Sequence, residues 1–141
     1  MDRDAAAEML VKMLYTAGVE EGLSAFFRSL NHPCGQQEGI WQQAREWHAS
    51  QTEAEKEILR ALVKEAMILA VFGVAVHFDG ASGYDYVGER PAEFAVALQI
   101  YSNLDEAEEG NPQEIIAICP TNDGENVHDH FLDFVDKSGE V

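Results

Sequence analysis

The chain has 141 residues, 46% of them hydrophobic, with 26 acidic side chains against nine basic ones and a formal net charge of −17. That length suits one domain, residues 1–141, burying about two thirds of its unfolded surface, and seven Phe, four Tyr and two Trp lift it out of the disordered class. A surface this negative repels nucleic-acid phosphate and anionic lipid headgroups, which excludes both as partners and leaves cations, basic proteins or none.

The imbalance is uneven: through Phe78 eleven acids face seven bases, net −4, and from Asp79 onward fifteen face two, net −13. The N-terminus lacks the basic-then-apolar layout of a secretory signal, and no apolar run reaches the length of a bilayer span, so a cytoplasmic location is expected. Cys34 and Cys119 show neither CxxC nor Cys/His spacing and are expected as two small reduced thiols.

Asp4 is a candidate N-cap for a first helix carrying Met9, Leu10, Met13, Leu14 and Ala17, with Gly18 as its stop. Val19, Leu23, Phe26, Phe27 and Leu30 form one apolar stripe on a second helix, broken at Asn31-His32-Pro33-Cys34-Gly35. Residues 36–49 read as a third helix with Ile40, Trp41, Ala44, Trp47 and His48 on one face. Thr52 and Glu55 have the spacing of a capping box, which opens a fourth helix. Its polar face ends at Glu65, and residues 66–76 are apolar all round, which predicts a long central helix buried on every side. The alternative is a helix ending near Ala70 followed by a strand over 71–78.

Beyond Asp79-Gly80 the pattern changes. Tyr84-Asp85-Tyr86-Val87 reads as a short edge strand, with Gly88-Glu89-Arg90-Pro91 breaking the chain after it. Phe94, Val96, Leu98 and Ile100 alternate with Ala95, Ala97, Gln99 and Tyr101, the period of a strand, and 115–119 is β-branched and reads as its antiparallel neighbour. Residues 104–112 between them read as an acidic loop. A last helix from about Asn126 places Val127, Phe131, Phe134 and Val135 on one side and Asp129, Asp133 and Asp136 on the other. The fold class expected is α+β: N-terminal helices, a long buried central helix, a small antiparallel sheet and a C-terminal helix.

Candidate chemistry is sparse. His128-Asp129-His130 with Asp133 contains metal-ligand types, but on a helix His128 and His130 point about 200° apart and do not converge. Asn122-Asp123-Gly124-Glu125-Asn126 lacks the alternating order of a calcium loop and reads as a turn. No nucleophile elbow, phosphate loop or dinucleotide fingerprint is present, so no catalytic residue, metal ligand or cofactor is assigned. His77, Asp79, Trp47 and His128 are a candidate pocket. The corresponding enzymatic alternative is a hydrolytic or metal-dependent site using His77, Asp79, His128 and Asp129, provided the two segments adjoin. Asp105, Glu106, Glu108 and Glu109, with Asp129 and Asp133, form a candidate docking surface for a basic partner. A homodimer through Trp41, Trp47 or an open strand edge is a third alternative.

The segments Glu46-Trp47-His48, Glu53 to Ile58, Ala70-Val71-Phe72-Gly73, Phe78-Asp79-Gly80 and, after a strand, Val127-His128-Asp129-His130-Phe131 together resemble a group of small uncharacterised bacterial proteins with the layout W-Y/H … FG … DG … strand … LHD-F. The resemblance spans about residues 40–135. It implies a bacterial cytoplasmic α+β domain and no particular activity. In type it is similar to immunity proteins of toxin systems. Departures are a longer stretch over 81–91, a longer acidic segment, and Val127 where the group has Leu. The expectation is therefore a non-enzymatic, acidic, immunity-like binding protein that masks a basic protein surface.

Overall fold

A computed structural model describes residues 1–32, 39–80, 85–92, 95–119 and 125–139. In chain order the elements are α1 (Arg3–Tyr15), a π-type turn (Thr16–Glu21), α2 (Gly22–Asn31), α3 (Ile40–Ser50), α4 (Glu53–Phe78), β1 (Asp85–Val87), β2 (Arg90–Ala92), β3 (Val96–Ile100), α5 (Leu104–Glu109), β4 (Glu114–Cys119) and α6 (Val127–Gly139). The class is α+β, with N-terminal helices, a long helix, small antiparallel sheets and a C-terminal helix. No helix among the described residues is long and apolar enough to cross a membrane.

The residues group into two compact units, Leu14–Val71 and the pair of segments Met1–Met13 with Phe72–Val141. In the unit Leu14–Val71 the core is Leu23, Phe27 and Leu30 of α2, packed by Phe26, Ala44, Leu59, Val63 and Met67. Rings hold it in register: Phe26 lies 5.3 Å from Phe27 and 5.6 Å from Trp41, while the Arg60 guanidinium sits 5.2 Å above the Phe27 ring. A Cβ placed on Gly18 would meet Val71 Cγ2 at 2.5 Å, so this glycine permits a close approach of the π-type turn to α4. It does not end the first helix, as the sequence reading expected; the helical backbone runs on through Glu21 into α2.

The capping box at the start of α4 is formed. Thr52 N donates to Glu55 Oε2 at 2.8 Å and Glu55 N donates to Thr52 Oγ1 at 3.3 Å. The helix is continuous to Phe78, which removes the alternative strand over 71–78. The burial expected on every side of 66–76 is overturned: Leu69 and Val74 are 67% and 43% exposed, Ala66, Ala70 and Gly73 face solvent too, and only Ala75 is buried. Composition made every face of the segment apolar, but the neighbouring elements cover one side only.

In the unit formed by Met1–Met13 and Phe72–Val141, the buried side chains are Ala6, Ala7 and Val11 of α1, Ala75 of α4, Ile116, Ile118 and Cys119 of β4, and Val127, His130 and Phe131 of α6. β3 pairs antiparallel with β4, Ala97 opposite Ala117 and Gln99 opposite Ile115, with an irregularity between Val96 and Ala97. β1 and β2 form a separate hairpin through Gly88-Glu89, with Gly88 at φ 67°. The breaker expected over 88–91 is thus a turn that leads straight into β2, and Pro91 sits on a strand with an open edge, where a missing amide costs no ladder bond.

Other expectations are corrected in detail. The carboxylate that caps α1 is Asp2, accepting from Ala5 N at 2.8 Å, rather than Asp4. The buried stripe of α1 is Ala6, Ala7, Val11 and Tyr15, while Met9 and Met13 are exposed. Small alanines carry little weight in a hydrophobic pattern, yet they are what a close helix contact accommodates. On α3 Ile40 and Trp47 are exposed and His48 is buried. The acidic loop over 104–112 contains α5: Asn103 Oδ1 accepts from Glu106 N at 3.0 Å, and Gly110 closes the helix at φ 74°. The break at 33–35, Cys34, Phe94 and the turn at 121–124, with the first three residues of the calcium-like run, lie outside the described residues.

Candidate functional site

α4 ends with Asp79 N donating to Ala75 O and Gly80 N to His77 O, both at 3.1 Å, and Gly80 adopts φ 68°. This closure leaves the Asp79 side chain 1% exposed and aimed at the start of α6. There its Oδ1 accepts from Val127 N at 3.0 Å and its Oδ2 from His128 N at 2.8 Å. A carboxylate 48 residues away in sequence therefore caps α6, and its charge meets the positive end of that helix.

Two side chains complete the cluster. His128 Nδ1 lies 2.7 Å from Asp79 Oδ2, and because an ionised carboxylate only accepts, the proton of this bond belongs to Nδ1. Cys119 Sγ donates to Asp79 Oδ1 at 3.4 Å. The edge of the Phe72 ring faces the His128 imidazole with centroids 6.0 Å apart, and Phe72 also packs 6.5 Å from the fully buried Phe131. Burial alone pushes the Asp79 carboxyl upward, but hydrogen bonds from the amides of His128 and Val127 and from the His128 and Cys119 side chains outweigh it, so the carboxyl sits below its ordinary value of 3.8. Burial first, and then the charge of Asp79, push the Cys119 thiol up to about 12.

This cluster joins two of the four residues expected in one pocket, Asp79 and His128. His77 is half-buried in the last turn of α4, and Trp47 is an exposed side chain of α3 in the other unit. Asp129 approaches too, with Oδ1 3.5 Å from His128 Nε2. An imidazole oriented by a buried carboxylate is one part of general-base chemistry, yet the thiol beside it donates to the carboxylate rather than to the ring and is held as the unreactive thiol. Among the described residues no group of three or more His, Cys, Asp or Glu is placed to share a metal ion.

Sequence reasoning missed Cys119 as a member of this cluster and missed Arg3 altogether. Arg3 Nε donates to Ile118 O at 3.2 Å and its Nη1 to Asp4 Oδ1 at 2.9 Å and to Glu125 O, which ties α1 to β4 and to the approach to α6. The one available signal was a basic residue alone in an acidic N-terminus.

Of the residues expected on the acidic docking surface, Asp105, Glu108 and Glu109 are exposed on α5 and Glu106 is half-buried there. Asp129 is half-buried against His128 and Asn126, and Asp133 lines a cleft between α1 and α6. α5 leaves and rejoins the same end of the β3–β4 pair, where Gln113 N donates to Ile100 O at 2.7 Å. The outward face of that pair, Ala97, Gln99, Ile115 and Ala117, is exposed and uncharged. Leu104, at the start of α5, is exposed as well.

No protein-family model, curated protein or solved structure matches the chain.

Proposed function

We propose that the chain is a non-enzymatic binding protein of immunity-like type, cytoplasmic and bacterial, that masks a basic protein surface with the outer face of β3–β4 and the carboxylates of α5. One observation carries the reading. In a unit whose segments hold 18 acidic and four basic residues, net −14, the exposed sheet face is free of charge, and α5, with Asp105, Glu108 and Glu109 exposed, connects the two strands that form it. An uncharged centre with a charged rim is the anatomy of a protein interface, and an acidic rim selects a partner whose apolar patch is ringed by Lys and Arg.

The test is fluorescence anisotropy against a panel of small basic folded proteins at low and moderate salt. Affinity is expected to fall steeply with salt, and Asp105→Asn with Glu108→Gln and Glu109→Gln should weaken binding about tenfold or more and flatten that dependence. Ile115→Ser should weaken binding while leaving the salt dependence in place. Complexes indifferent to both salt and these substitutions, or no complex with any member of the panel, refute the proposal.

A second reading, a His/Asp enzyme site, draws on the convergence of Asp79, His128 and Asp129. Hydrolysis of activated esters that disappears in His128→Gln, with the fold unchanged, would favour it. A homodimer through exposed Trp47 is decided by light scattering across a concentration series.

A further inference from the structure

α1 and α6 enclose a half-open cleft of about 490 Å³, a volume in the range that small ligands occupy. Met9 and Phe134 give it an apolar wall, and His130 lies in its lining. His130 is 9% exposed, and its Nε2 is buried with no hydrogen-bond partner; Asp4 Oδ1 stands 3.8 Å from Nε2 and Glu125 Oε2 3.6 Å from Nδ1. Two of the chain's nine basic residues, Lys12 and Lys137, line the same space.

The charges in this cleft follow a pattern. α1 presents Glu8 and Lys12, and α6 presents Asp133 and Lys137, in both cases an acid four residues before a lysine. That order and spacing favour an ion pair within each helix. Yet among the described residues none of the four makes an ion pair. Each helix therefore offers the cleft one unpaired positive and one unpaired negative group.

Charge decides what such a lining takes. A simple anion would meet Glu8, Asp133 and Glu125 and the field of a −17 chain; a simple cation would leave both lysines unanswered. A ligand carrying both charges and no net charge satisfies the two sets and feels no net repulsion. On a helix, side chains at i and i+4 stand about 5–6 Å apart, and an extended dipeptide spans roughly 7 Å, so its termini match the two charged positions. We propose that the α1–α6 cleft binds a short zwitterionic peptide with apolar side chains, its carboxylate on Lys12 and Lys137, its ammonium on Glu8 and Asp133, and its side chains on Met9 and Phe134.

The experiment is calorimetric titration of the full chain with L-leucyl-L-phenylalanine, and with the same dipeptide N-acetylated or C-amidated, alongside NMR of the histidine rings. Saturable one-to-one binding is expected. Either blocked form should bind at least about tenfold more weakly, because each loses a charge-assisted set of hydrogen bonds. Lys12→Gln with Lys137→Gln should abolish the preference for a free carboxylate, whereas Lys56→Gln, on α4, should change nothing. The ring protons of His130 should shift on binding while those of His32 do not. Lys12 and Lys137 are exposed, and circular dichroism of each variant should match that of the wild type. Absence of binding by the free dipeptide, equal binding of the blocked forms, or binding that leaves the His130 ring unmoved would each overturn the proposal. These outcomes are independent of whether the outer face of β3–β4 binds a basic protein.

Discussion

Asp79→Ala removes one carboxylate and with it four acceptor contacts: Val127 N at 3.0 Å, His128 N at 2.8 Å, His128 Nδ1 at 2.7 Å and Cys119 Sγ at 3.4 Å. Loss of a helix cap costs about 1 kcal/mol, and leaving the imidazole and thiol donors without an acceptor in a closed site costs about 1 kcal/mol each. The expected destabilisation is about 3 kcal/mol. Asp79→Asn keeps one acceptor oxygen and should lose roughly half as much. Urea unfolding followed by circular dichroism reads the first number; with a slope of about 2 kcal/mol/M the midpoint should fall by about 1.5 M. Hydrogen exchange at the Val127 and His128 amides reads the cause, since both should lose protection. The effect must also depend on pH. The folded carboxyl is depressed below 3.8, so the unfolded chain takes up a proton first as pH falls. The stabilisation is complete above the ordinary carboxylate value and is lost as pH drops through the folded one, so the gap between wild type and Asp79→Ala should narrow below about pH 4. A midpoint within about 0.2 M of wild type, with amide protection at the start of α6 unchanged, would refute the capping argument.

Three other outcomes follow from the same kind of reasoning. Gly18→Ala places a methyl 2.5 Å from Val71 Cγ2 and should cost about 1–3 kcal/mol, most of it recovered in the double variant with Val71→Ala; thermal unfolding of the four proteins closes that cycle. Thr52→Ala removes the capping box of α4 and should cost about 1 kcal/mol, measured by urea unfolding, while Thr52→Ser should be close to wild type. Cys119, with its thiol pushed up to about 12, should resist iodoacetamide at pH 8 in the native protein and react on addition of denaturant, as read by peptide-resolved mass spectrometry.

Local signals in the sequence were those that local physics enforces. Thr52 and Glu55 announce the start of α4 because a capping box is complete within four residues, and the alternation through Val96, Leu98 and Ile100 announces β3 because its inward positions repeat every second residue. Asn103 and Gly110 carried the same sort of signal for α5, but the run of acids between them reads as a solvated loop unless their preference for the first turn of a helix is weighed. Long-range features were out of reach. Nothing local reveals that Asp79 caps a helix 48 residues on, that Cys119 stands beside it, or that Gly18 accommodates Val71. The apolar pattern overstates the burial of α4 for a related reason. An apolar face states only that a segment tolerates a dry environment; whether one is supplied depends on elements elsewhere in the chain.

The bare side of α4 has a bearing on how this protein behaves in a test tube. Ile58, Leu62 and Leu69 lie open on one helix, and at neutral pH the charge of −17 keeps molecules from meeting there. That colloidal protection vanishes as the solution approaches the isoelectric point near 4.4. Mildly acidic buffer should therefore precipitate chains that are still folded, along the greasy seam of that helix. Storage well above that point keeps them dispersed.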